Sequence, residues 1–222
     1  MEELTLPVIL DLPQWQQLVT WCPHLTKLDI VDPRDFQDNP SPTVPFSAGD
    51  VFALLAKHLP KLVRFSWMLS NRSKMHEGML ETNKRHVTAL APLTFMRHLQ
   101  LGIGLHLKHA KEVADVVRNW PELQVLVLSC EMNDFTMDLV EALPHGMHVL
   151  ELGDIPPPPL ANEAVRLITT FFTRQMQLEK IPSTMNAWLA FLDSKHVADL
   201  FTDKDRRRLL GLTLNAENRL AS

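Results

Sequence analysis

The chain is poor in cysteine, and that limits how it is held together. Cys22 and Cys130 are the two cysteines in 222 residues, too few for the disulfide framework of a small secreted domain. Long apolar runs are missing as well: no stretch approaches the roughly 20 consecutive apolar residues that cross a bilayer. Glu2, Glu3 and Pro7 stand where a signal peptide has a basic start and an unbroken apolar stretch. A reducing compartment, cytoplasm or nucleus, is the expectation. An excess of one charge is also lacking. The net charge is -4 with both signs mixed along the chain, so neither nucleic acid nor a membrane surface is an expected partner. The run Arg206 to Arg208 follows Asp203 and Asp205 and reads as a solvated helix face.

The residue sets of enzyme chemistry are absent too. Gly102-Ile103-Gly104 has neither the third glycine of a dinucleotide loop nor the lysine of a phosphate loop, and reads as a turn. No serine sits in a Gly-x-Ser-x-Gly elbow. His106 and His109, like His145 and His148, are three apart, but no cysteine or carboxylate cluster accompanies them. Cys22 and Cys130 fall at strand borders, where a small apolar residue packs well. No catalytic, cofactor or metal site is expected, and the chain reads as a non-enzyme.

What is present is one phrase, repeated: apolar, two residues, apolar, one residue, apolar. It reads Leu25, Leu28, Ile30; Leu62, Phe65, Trp67; Met96, Leu99, Leu101; Leu123, Leu126, Leu128; Met147, Leu150, Leu152; and Leu209, Leu212, Leu214. Weaker copies start at Met1, Leu4, Leu6 and at Leu178, Ile181. Apolar residues make up 45% of the chain, enough for a continuous core. Phrases recurring every few tens of residues mark stacked units, each unable to bury its apolar face alone.

Between phrases the period turns helical. Asp50 is expected to cap a helix carrying Val51, Leu54, Leu55 and Leu59, which Pro60 ends. Val113, Val116 and Val117 lie on a second, stopped at Trp120-Pro121, and Leu139, Val140 and Leu143 on a third, stopped at Pro144. Asn162 is expected to cap a fourth with Val165, Ile168, Phe171 and Phe172, and a fifth spans about 186–201 with Trp188. Trp15, Trp21 and Trp120 fall on helices or their ends and are expected to cover the rim of the core.

The segments Trp21-Cys22-Pro23-His24-Leu25-Thr26-Lys27-Leu28-Asp29-Ile30 and Trp120-Pro121-Glu122-Leu123-Gln124-Val125-Leu126-Val127-Leu128-Ser129-Cys130 resemble the cysteine-containing leucine-rich repeat. They are similar to the irregular repeats of F-box proteins. The resemblance implies an α/β leucine-rich-repeat solenoid, a curved parallel sheet with outer helices. Residues 1–222 would form a single irregular domain of about seven to eight repeats, with loop insertions near 33–49, 70–86 and 153–161. It also implies a protein-recognition module, the target-binding part of an F-box-type ubiquitin ligase subunit. The Skp adaptor and cullin would be partners through an upstream F-box. Leu6-Pro7 and Leu12-Pro13 match the opening pair of an F-box, but leave too few residues before the first clear repeat for its helices. The alternative is a structural scaffold repeat protein with no ligase link.

Alternate strand residues face opposite ways. With the phrase leucines in the core, Lys27, Arg64, His98, Val125, Val149 and Lys180 on one side of each anchor point outward. On the other side Asp29, Ser66, Gln100, Val127 and Glu151 do the same. The expected concave face is polar and basic on early strands and apolar on middle ones, which suits a protein target.

Overall fold

The computed structural model describes residues 2–6, 10–31, 47–68, 82–130, 132–153, 155 and 161–175. These form an α/β structure around one parallel sheet. The elements, in chain order, are β1 (Glu3–Leu6), α1 (Leu12–Trp21), β2 (Lys27–Val31), α2 (Ala48–His58), β3 (Arg64–Met68), β4 (Thr82–Asn83), α3 (Lys84–Thr88), β5 (His98–His106), α4 (Ala110–Val117), β6 (Val125–Cys130), α5 (Met137–Ala142), β7 (Val149–Leu152) and α6 (Ala161–Arg174). The strands lie in the order β1-β2-β3-β5-β6-β7, and β4 pairs with the far end of β5.

The repeated phrase sets the register. Leu4, Leu28, Phe65, Leu99, Leu126 and Leu150 are partners across successive parallel strands. Leu6, Ile30, Trp67, Leu101, Leu128 and Leu152 form a second line two residues on. From Leu28 onward both lines are buried, because side chains with period two place one set of residues on one face. The weak N-terminal copy is therefore a strand of the sheet.

The entry into each strand is built by the same backbone bonds. The N–H groups of Leu25, Leu62, Met96 and Leu123 donate to the carbonyls of Cys22, Leu59, Leu93 and Trp120, three residues earlier. The Thr26 carbonyl then accepts from Val63 and Arg64, Val63 from Arg97 and His98, Arg97 from Gln124 and Val125, and Gln124 from His148 and Val149. Each turn thus hands two N–H groups to the strand before it, which satisfies polar groups that would otherwise be lost at the sheet end.

The helices pack in chain order, each on the next, against the face that holds the two apolar lines. Trp15 of α1 lies 6.0 Å from Trp67, and Phe52 of α2 meets Phe65 edge-on at 5.8 Å. Trp15, Phe52, Phe65 and Trp67 are all fully buried. Such tilted and edge-to-face pairs add about 0.5–1.5 kcal/mol each beyond burial. Pro60, Pro121 and Pro144 follow α2, α4 and α5, as their spacing predicts.

Several local expectations are corrected. Ser47, not Asp50, is the N-cap of α2. Its side chain accepts from the Asp50 N–H, and the Asp50 carboxylate accepts from the Ser47 N–H, a capping box with aspartate in the third position. α6 starts at Ala161, so Asn162 lies inside it. At the end of the expected insertion near 70–86, β4 and α3 occupy Thr82 to Thr88. Gly102-Ile103-Gly104 is not a turn but part of β5, at the point where its register against β6 shifts between Leu101 and Leu105. His106 ends β5 and His109 caps α4, so their spacing is not helical. Trp15 and Trp120 are buried, but Trp21 is 74% exposed, because α1 turns Trp15 and Val19 inward and Trp21 falls off that stripe. The insertions at 33–46, at 70–81 and over most of 153–161, the copies at Leu178 and Leu212, the helix at 186–201 and Lys180 lie outside the described residues.

Candidate binding face

The face of the sheet away from the helices brings the expected residues together. Lys27, Arg64, His98, Val125 and Val149 are register partners on consecutive strands, and so are Asp29, Ser66, Gln100, Val127 and Glu151. Parallel strands lie about 4.8 Å apart, so each row is continuous. β1 extends both rows with Glu3 and Thr5, partners of Lys27 and Asp29. These two were missed in the sequence, although they flank Leu4 of the weak copy, and that pattern would have found them. Val31, Met68 and Gly102 form a third, shorter row.

The polar half is organised by pairs. Lys27 is bonded to Glu3. Arg64 donates from Nε to Asp29 Oδ1 at 2.9 Å, diagonally across β2 and β3. Ser66 Oγ donates to Gln100 Oε1 at 3.1 Å. Both ions of the Arg64–Asp29 pair keep contact with water, their side chains being 39% and 23% exposed. His98 stands beside Arg64, and its Nε2 is buried without a hydrogen-bond partner among the described residues. Burial, with the Arg64 charge adding to it, holds the His98 imidazole below the ordinary histidine range; a hydrogen bond that the ring donates to the Gln100 side chain and the Asp29 charge pull the other way. At neutral pH His98 is therefore an uncharged member of the face, not the third cation of a basic ladder.

The apolar half is less open than the sequence suggests. Val125 and Val149 are half-buried, and Val127 is only 8% exposed. Ser66 is likewise 7% exposed. Valine alternation marks which face a residue is on, but not how far its neighbours shade it. Gln100 and Glu151 flank Val127 on the adjacent strands.

Among the described residues, no group of three histidine, cysteine, aspartate or glutamate side chains is placed to hold a metal ion. Cys130 is 4% exposed, and burial pushes its thiol up, which disfavours the thiolate a nucleophile needs. No described helix is long and apolar enough to cross a membrane. No protein-family model matches the chain, and a search of curated proteins finds no similar one.

Proposed function

We propose that the protein is a non-catalytic recognition module of the leucine-rich-repeat kind, a curved solenoid that holds a protein target on the open face of its sheet. What supports the reading is a single observation. Two rows of side chains cross five consecutive strands in register, with no helix of the described chain on that side. A face with ion pairs at one end and valines at the other offers both orientation and apolar area to a partner. Arg64 and Lys27, paired with Asp29 and Glu3, offer the target ion pairs that orient it; Val125 and Val149 supply the contact that excludes water.

In the F-box proteins that the repeats resemble, such a face selects the protein to be ubiquitinated. We extend that role to this chain as the target-binding part of a ligase subunit. Coupling to a Skp adaptor and a cullin requires an F-box, and the coding sequence upstream of Met1 decides whether one is joined to these repeats.

The test is a comparison of proteins captured from cell extract by the full chain and by the double variant Lys27→Glu/Arg64→Glu. A recognition face predicts a partner held by the first and lost by the second, with unchanged circular dichroism. Identical capture by both would count against this face.

A further inference from the structure

β1 ends the sheet: among the described residues it has a strand, β2, on one side only. Its hydrogen-bonding groups divide accordingly. The Glu2 carbonyl accepts from the N–H groups of Thr26 and Lys27, so Glu2 turns its backbone toward β2. Along a strand these groups alternate from one side to the other. Leu4 and Leu6 therefore also face β2. The N–H and C=O groups of Glu3 and Thr5 face outward, where no described strand meets them.

The side chains of this strand are unfinished in the same way. Leu4 and Leu6 start the two apolar lines, yet they are half-buried, whereas Leu28 and Ile30 on the next strand are buried. Leu10 and Leu18, which lead into and lie on α1, also pack on the core only in part. On the opposite face Glu3 and Thr5 are exposed. Such an edge is a template for another strand.

The pattern of β1 selects that strand. Two copies of β1 related by a two-fold axis run antiparallel, and residues directly opposite each other then share a face. Setting Glu3 against Thr5 of the second copy pairs every outward N–H and C=O of β1. It joins the two Leu4 side chains at the axis, on the helix side. It also puts each Glu3 carboxylate opposite a threonine hydroxyl, which can donate to it. Sliding the copies by two residues one way opposes Glu3 to Glu3. Sliding them the other way opposes Glu3 to Pro7, which has no N–H.

We infer that the protein self-associates through β1: a second copy of this chain adds its own first strand there, antiparallel, and the two sheets become one. The leucine line then runs unbroken from Leu28 through Leu4 into the second copy. A pairing of strands of 4 residues stays below the roughly 1,200 Å² of a stable interface, so the dimer exchanges with monomer and grows with concentration.

The test is sedimentation equilibrium of the full chain from low to high micromolar concentration, and a reversible monomer–dimer equilibrium is expected. Thr5→Pro removes an outward N–H but no bond to β2, so this variant should keep its circular dichroism and remain monomeric. Thr5→Glu opposes two carboxylates and should weaken association at least tenfold. Disulfide capture on a Cys22→Ser background reads the register. Opposed Leu4 Cα atoms at the axis lie about 4.5 Å apart, within reach of a disulfide, so Leu4→Cys should link the dimer and Glu3→Cys should not. A monomer at every concentration, a dimer that both Thr5 variants leave intact, or linkage through Glu3→Cys in place of Leu4→Cys would overturn the proposal. Capture of a target on the open face is measured separately through Arg64 and does not depend on the result.

Discussion

Arg64 Nε donates to Asp29 Oδ1 at 2.9 Å, and this diagonal pair ties β2 to β3 on the open side of the sheet. The register places Lys27 directly opposite Arg64, so without Asp29 two cations would face each other across one strand pair. Asp29→Asn keeps the shape and removes the charge. Because the pair is partly in water, stability should fall by less than about 1 kcal/mol. A second effect is on the neighbour: the Asp29 charge raises the His98 pKa, as the smallest of the influences on it, so in the variant His98 should titrate at slightly lower pH than in the wild type. An imidazole NMR titration of both proteins reads the shift directly.

His98 also links stability to pH. In the folded protein its pKa lies below the ordinary value of 6.5, so between that lowered pKa and 6.5 the unfolded chain binds more protons. The contribution of neutral His98 is then complete above about pH 6.5 and is lost as pH falls toward the folded pKa. Urea midpoints at about pH 7.5 and about pH 5.5 should differ more for the wild type than for His98→Gln. An equal difference in both would assign the pH dependence to other groups.

Alternation along β5 predicts a sharp contrast between neighbours. Leu99 is fully buried and its partners are Phe65 and Leu126; Leu99→Ala should cost about 2–5 kcal/mol, as the cavity it leaves cannot close. Gln100 lies on the open face and bonds Ser66, and Gln100→Ala should cost no more than about 0.5–1.5 kcal/mol. Chemical denaturation of the two variants checks the facing of the strand.

Gly153, just after β7, is fixed by contact. A Cβ there would sit 1.5 Å from the carbonyl oxygen of Cys130, at the end of the neighbouring β6. Gly153→Ala must push β6 and β7 apart, and a loss of about 1–3 kcal/mol is expected. A Cβ on Gly146 meets nothing within 4 Å. Gly146→Ala should be neutral or gain up to about 1 kcal/mol through the unfolded chain. Thermal melts of the pair give opposite signs or, at the least, very different sizes.

The strands were legible because one physical rule governs them. On the described strands each phrase places apolar residues at the positions that must face the helices, and Leu28, Phe65, Leu99, Leu126 and Leu150 then fall on successive strands. Leu4 follows the same rule, and its weakness as a signal reflects an edge strand with a half-buried pattern. The short α3 was not legible, since its five residues bury only Val87 and show no period. The strand character of Gly102-Ile103-Gly104 was hidden by glycines that elsewhere mark turns; here Gly102 leaves room for Met68, whose Cε would lie 2.9 Å from an added Cβ. The site was legible as a list of facing residues but not as an environment. Side-chain pairing of Lys27 with Glu3, and shading of Val127 and Ser66, depend on neighbours that sequence spacing does not rank.

The most direct test of the recognition face is photo-crosslinking in cells with a benzophenone residue at single positions. Lys27 and Val125 report on the open face of the sheet, and Ala53 of α2 and Lys111 of α4 report on exposed helix positions. A target held on the sheet predicts one common crosslinked protein from Lys27 and Val125, absent from Ala53 and Lys111 and lost when Arg64→Glu is added. Crosslinks from the helix positions alone, or the same protein from all four, would contradict it.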